Sequence, residues 1–143
     1  MKVEEVYQYA PTMQPRRLIS AGVGRVPAGF PSPSQDYSDT KIDLNQMLIK
    51  DELSTFVVRV SGDSMEDAGI FDGDELIVDR SIEPHDGHVV IAVVDGEMTV
   101  KRLRVTDTGV VLQAENAQYP DVTVPELSDL VVWGVATRCL HRL

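Results

Sequence analysis

From residue 55 onward the apolar positions come in short runs of β-branched residues separated by turn chemistry, the pattern of strands rather than helices. TFVVRV (55–60) runs into the turn SGDSM, and ELIVDR (75–80) follows the irregular, glycine-containing MEDAGIFDGD (65–74). HVVIAVV (88–94), then Asp95-Gly96, then EMTVKRLRV (97–105) predicts a β-hairpin, because Asp-Gly accepts the positive φ angles of a tight turn. TDTG (106–109) leads to VVLQAE (110–115), and DVTV (121–124) and LVVWGVATRC (130–139) complete the pattern. It predicts a mostly β fold: a bent, barrel-like antiparallel sheet with little helix.

Upstream the pattern changes. Residues 1–40 hold five of the eight prolines and no sustained period, and read as an extended N-terminal arm. KIDLNQMLIKDEL (41–53) has apolar residues at 42, 44, 47, 48 and 49, which predicts a short amphipathic helix docked by one face. The expected organisation is an arm over 1–40 and a β-rich body over 41–143.

At 143 residues and 43% hydrophobic content the chain is long enough for one domain with its own core. Its single cysteine, Cys139, permits no intramolecular disulfide and suits a reducing compartment. The longest strongly apolar run, VVIAVV, is too short to span a bilayer, and the N-terminus lacks a signal-peptide pattern. A cytoplasmic location is expected, with no membrane partner. The net charge of −10 argues against a general nucleic-acid coat. Residues 1–28 carry four basic and two acidic side chains, so a head of net +2 precedes a remainder of −12.

Candidate chemistry is sparse. Ser64, in the turn after a strand, is placed where a nucleophile with nearby backbone N–H donors would stand, although spacing alone favours a serine that merely satisfies a turn. Lys101 lies in the second arm of the hairpin. Alternation groups Thr99, Lys101 and Leu103 on one face and Val100, Arg102 and Arg104 on the other. Two arginines suit the wet face and send Lys101 inward, whereas Val100 argues the reverse. A buried lysine sheds its proton more readily and so can act as a base toward a serine hydroxyl. His85 and His88, in HDGH, read as solvated and lack the further ligands of a metal site. His141 sits near the terminus, and Cys139 reads as a small core residue. The acids of EDAGIFDGDE read as turn formers, not a calcium loop. No metal or cofactor is expected.

Several stretches together resemble the LexA/UmuD family of self-cleaving serine–lysine proteins, the UmuD-type SOS mutagenesis branch more closely. These are GFPSP (29–33), IDLNQ (42–46), SGDSM (61–65), DGD (72–74), LIVD (76–79) and DGE with TVK (95–97, 99–101), with serine and lysine 37 residues apart. GRVPAG (24–29) is similar to the cleavage region of LexA repressors. The resemblance covers about residues 25–140. It implies that Ser64 is the nucleophile, that unprotonated Lys101 is its base, and that Ala28–Gly29 is the scissile bond. Backbone N–H groups of Asp63 and Ser64 would hold the oxyanion. It further implies cleavage stimulated by a RecA–single-stranded DNA filament. The shortened product would form a homodimer working with a UmuC-type, polymerase V-like, translesion DNA polymerase. Residues 42–50 are the candidate dimer contact, or equally plain core. Small residues at 28 and 29 suit a tight cleft, a tethered substrate has a high effective concentration, and Pro27, Pro31 and Pro33 limit the arm's poses. Pro27 departs from the small residue of LexA-type sites. Ala21–Gly22 is a second Ala-Gly pair but a decoy on this resemblance, because GFPSP follows Ala28 and not Ala21.

Two rival readings share parts of this pattern. A LexA-like repressor, or a remnant of one, requires a helix-turn-helix, and the 28 residues before the cut contain Pro11, Pro15 and Pro27 and show no helical period. Sequence-specific DNA binding is therefore not expected. A non-catalytic polymerase-binding module remains the alternative from another class.

Overall fold

The computed structural model describes residues 1–8, 18–20, 41–124 and 126–143. The chain divides into two compact units, one formed by Met1–Ala10 with Asp51–Leu143 and the other by Pro11–Lys50.

The larger unit is built on antiparallel strands: β1 (Lys2–Gln8), β4 (Thr55–Ser61), β5 (Glu75–Asp79), β6 (Val89–Val94), β7 (Glu97–Thr106), β8 (Gly109–Gln113), β9 (Val122–Val124) and β10 (Val131–Leu140). In the smaller unit β2 (Leu18–Ser20) pairs with β3 (Lys41–Asp43), which leads into the single turn of α1 (Leu44–Leu48). The sheet order is β1-β4-β5-β10-β6-β7-β8-β9, and a further pairing of Lys2 with Thr99 joins β1 to β7. Six strands thus close on themselves while β8 and β9 extend one side. The mostly β, barrel-like architecture expected from the sequence is what forms.

The tight turn between β6 and β7 is Asp95-Gly96, with φ of 50° and 78°, and the register pairs Val94 with Glu97 through Val89 with Arg102. The apolar alternation fills two cores. Val58, Val60, Met65, Leu76, Val78, Ile91 and Val100 form one, and Val90, Ala92, Leu103, Val110, Leu112 and Val135 the other. Each fully buried aliphatic side chain contributes about 1.5–3 kcal/mol. Strand β7 serves both cores, Val100 facing the first and Leu103 the second, so its middle is covered on both faces.

Two local expectations change. The helix expected over 41–53 is only five residues long and buries none of them. Asp43 ends β3 and caps the turn by accepting the N–H groups of Asn45 and Gln46, and Ile49 returns to extended backbone. The plain-core reading of this segment is therefore incorrect. Residues 2–8 are a strand of the larger sheet, paired with β4 from Lys2–Ser61 to Gln8–Phe56, with an irregularity between Val3 and Glu5. That irregularity interrupts the period of two that would have marked the strand.

Candidate active site

The turn after β4 is shaped by a glycine and an acid. Gly62 adopts φ 95°, a region costly for a side chain, and its N–H donates to the Asp72 carboxylate at 2.7 Å. The chain then turns through Asp63 and Ser64 into a 3₁₀ turn at Glu66–Ala68. Ser64 has no exposed surface, and Met65 beside it is sealed in the first core.

Lys101 enters from β7 and is 8% exposed. Its register partner is Val90, a member of the second core, so the lysine stem lies among apolar groups. Its Nζ donates to Ser64 Oγ at 3.4 Å, bringing together two residues 37 positions apart. Alternation could not place this lysine because both Val100 and Lys101 are buried. Burial lowers the Lys101 pKa from the ordinary lysine value, and the Asp121 carboxylate opposes that shift. The Tyr119 ring lies 5.9 Å from Nζ.

Asp63 is held on every side. Its carbonyl accepts from the Asn116 side-chain amide at 2.9 Å and from the Glu66 N–H at 3.3 Å, and its carboxylate accepts from the Tyr119 hydroxyl. The Asp67 N–H donates to the Glu115 carbonyl at 2.9 Å, tying the same turn to the segment after β8. Asn116, Tyr119 and Asp121 carried no signal in the sequence, because only the fold brings their loop beside SGDSM.

Met1 also reaches this site. Its amino group donates to Ser64 Oγ, and its carbonyl accepts from the Val100 N–H at 3.0 Å and the Thr99 hydroxyl at 2.7 Å. Its side chain is buried in the first core. Burial and the Lys101 cation lower the pKa of that amino group.

Other residues singled out in the sequence lie elsewhere. Ala28 and Gly29 fall outside the described residues. The His85 ring donates its Nδ1–H to the Glu83 carbonyl at 2.8 Å, and His88 Nδ1 accepts from the His85 N–H. Among the described residues no cluster of histidine, cysteine and acidic side chains could hold a metal. Cys139 is exposed rather than a core residue, because it lies near the end of β10, past the covered stretch of that strand. His141 is tied in: its Nδ1 is 2.7 Å from the buried Asp74 carboxylate, and its ring packs against Phe71. Asp72 and Asp74 thus hold backbone and side chains over long sequence distances, which is more than turn formation. Among the described residues no helix is long and apolar enough to cross a membrane.

The chain matches the family model described as Peptidase S24-like over residues 21–137. It is 42% identical over 118 residues to protein SamA of Salmonella typhimurium, covering 82% of this chain and 81% of that one. It is likewise 42% identical over 123 residues to protein ImpA of Escherichia coli, covering 82% and 80%. With the LexA repressor of Photobacterium profundum it shares 41% identity over 115 residues, 80% of this chain and 59% of the repressor. A model that matches most of the chain, and relatives this similar over most of their own lengths, establish the family: the chain is a member of the peptidase S24-like family, in the LexA/UmuD group with its UmuD-type branch.

Proposed function

We propose that this protein cuts its own Ala28–Gly29 bond, with Ser64 as nucleophile and Lys101 as general base. The observation that carries this reading is the 3.4 Å approach of Lys101 Nζ to Ser64 Oγ with both groups buried. A lysine whose ammonium is desolvated loses its proton at lower pH than a free one, and a neutral amine at hydrogen-bond distance can deprotonate the hydroxyl.

In the first step Ser64 Oγ attacks the Ala28 carbonyl carbon and its proton passes to Lys101 Nζ. The oxyanion draws on backbone N–H groups at Asp63 and Ser64. The carbon–nitrogen bond then breaks, and Lys101 gives the proton to the departing Gly29 amine. Water attacks the resulting Ser64 ester, loses a proton to Lys101, and releases residues 1–28 as a carboxylate, while Ser64 Oγ regains a proton from the lysine. The tether supplies effective concentration, so each chain needs to act once.

The biological reading is a cytoplasmic SOS mutagenesis protein. A RecA–single-stranded DNA filament stimulates the cut, and the product, residues 29–143, dimerises and works with a UmuC-type translesion polymerase. The similarity to SamA and ImpA spans about four-fifths of their own lengths, against 59% of the repressor's, and this supports the reading over a repressor. The test is incubation of pure protein at alkaline pH, with and without a RecA filament and a nucleotide analogue, followed by intact mass measurement. Fragments 1–28 and 29–143 are expected from the wild type, and none from Ser64→Ala or Lys101→Ala. Cleavage of both variants at the wild-type rate rejects the dyad, and a new N-terminus at Gly22 or Gly24 rejects the site.

A further inference from the structure

Ser64 has no exposed surface, yet a nucleophile must meet a carbonyl carbon. Among the described residues, the group bonded to its Oγ besides Lys101 is the amino group of Met1. The Met1 backbone lies between the turn that follows β4 and the edge of β7, using the Val100 N–H and the Thr99 hydroxyl as donors to its carbonyl. Those two donors and Ser64 are what an extended peptide would meet on entering from the same side. Behind Met1 the occupant is anchored along its length. Six residues of β1 pair with β4, Lys2 bridges to Glu97 at 3.0 Å, and Glu5 bridges to Arg59 at 3.0 Å. The Met1 side chain fills a place in the core, where Val3 packs beside it.

We infer that the segment Met1–Gln8 is a built-in occupant of the substrate groove, which must leave before a scissile strand can reach Ser64. The inference rests on the self-cleavage reading above. The occupant belongs to the same N-terminal region as the expected cut, so the two segments compete for one groove, and the site is open for only the fraction of time in which β1 is released. An observed rate is the open-site rate multiplied by that fraction. The resting arrangement also offers Ser64 Oγ two amine donors, Met1 and Lys101, which occupy the oxygen as an acceptor instead of drawing off its proton. Ejecting the strand removes one of them and admits the substrate. A partner that captures β1 by adding it to a sheet edge of its own would then act as a trigger.

The test uses the full-length chain. One variant is Val3→Pro, which takes away a backbone N–H within the strand. The second is the double variant Lys2→Glu with Glu5→Lys, which reverses both exposed bridges, keeps the net charge and spares the core. Two quantities are measured at alkaline pH: the first-order rate at which residues 29–143 appear, and the hydrogen exchange of the Val100 amide. Faster exchange and cleavage faster by about tenfold or more are expected, in line with a larger open fraction. A free peptide of the sequence MKVEEVYQ should slow the double variant again. Unchanged or slower cleavage in both variants overturns the inference while leaving the self-cleavage reading intact. Absence of cleavage in every chain, wild type included, rejects that reading instead, and the Val100 exchange then still reports whether β1 is seated.

Discussion

The side-chain amide of Asn116 donates to the backbone carbonyl of Asp63 at 2.9 Å, and Asp63 immediately precedes the buried Ser64. The bond links the loop after β8 to the turn after β4, so the position of Ser64 depends on a residue 53 positions from its neighbour Asp63. Asn116→Ala removes that anchor. It should cost about 1 kcal/mol of stability, the usual net worth of such a bond. Self-cleavage should fall more steeply, by roughly tenfold to a hundredfold, because small misplacements of reacting groups are expensive. Urea unfolding and cleavage timed by mass spectrometry separate the two effects. Equal rates in Asn116→Ala and wild type would show that the turn holds itself.

With Lys101 as the base of the proposed self-cleavage, its proton sets the expected pH dependence. Burial lowers its pKa and Asp121 raises it, with burial the larger influence. Since the proposed reaction needs the neutral amine, cleavage should rise with pH and level off above the folded-state value, below the ordinary lysine range near 10.4. Asp121→Asn removes the carboxylate that favours the ammonium, so the rising limb should move to lower pH. For stability the sign runs in the same direction. The unfolded chain binds this proton more tightly than the folded one, so the penalty is present below the folded pKa and disappears as pH rises past the unfolded value. Lys101→Met should therefore be inactive yet more stable at neutral pH by about 1 kcal/mol or more, the scale of relieving an imperfectly solvated buried polar group. Thermal melts at pH 7 and near pH 10 should show the gain shrinking with pH.

The sheet was legible in the sequence where local chemistry settles it. Asp95-Gly96 fixed the hairpin, and the β-branched runs marked β4 to β6, β8 and β10. Ser64 and Lys101 stood out through motifs, but the face of Lys101 did not follow from alternation, because closure of the sheet covers β7 on both sides. Strand β1 was missed for a different reason: its irregularity at Val3–Glu5 breaks the period, and most of its side chains are exposed. Asn116, Tyr119, Asp72 and Asp74 act across the fold, and such contacts leave no periodic trace.

Gly134 in β10 crosses close to β5. A methyl group there would lie 2.6 Å from Val78 Cγ1 and 3.3 Å from Arg80 Cγ. Val78 is fully buried in the first core and cannot swing into solvent. Gly134→Ala should destabilise the protein by about 1–3 kcal/mol, the cost of overpacking. A matching fall in the denaturation midpoint is the measurement, and Gly134→Ala with Val78→Ala should recover part of it. No recovery in the double variant would place the strain elsewhere.

Cys139 is an exposed thiol that should react as though it were hidden. Its Sγ donates to the Asp74 carboxylate at 3.2 Å, and burial together with that carboxylate pushes its pKa up to about 12. The thiolate is the reactive form, so at pH 8 alkylation should be slower than for a free cysteine by about a hundredfold or more. Asp74 is itself buried. Burial pushes its pKa up, but the Phe71 N–H, His141 and the thiol outweigh that and leave it below the ordinary value. Its contribution to stability is thus present above the unfolded aspartate value near 4 and is lost as pH falls through the lower folded value. Asp74→Asn removes the charge that opposes the thiolate and keeps the shape, so iodoacetamide labelling of Cys139 should quicken, and the acid limb of the stability curve should flatten. His141→Ala takes away one donor to Asp74 while leaving its charge beside the thiol. It should destabilise the folded protein in acid without speeding alkylation. Fast labelling of Cys139 in the wild type would mean that the Asp74 contact does not hold the thiol in solution.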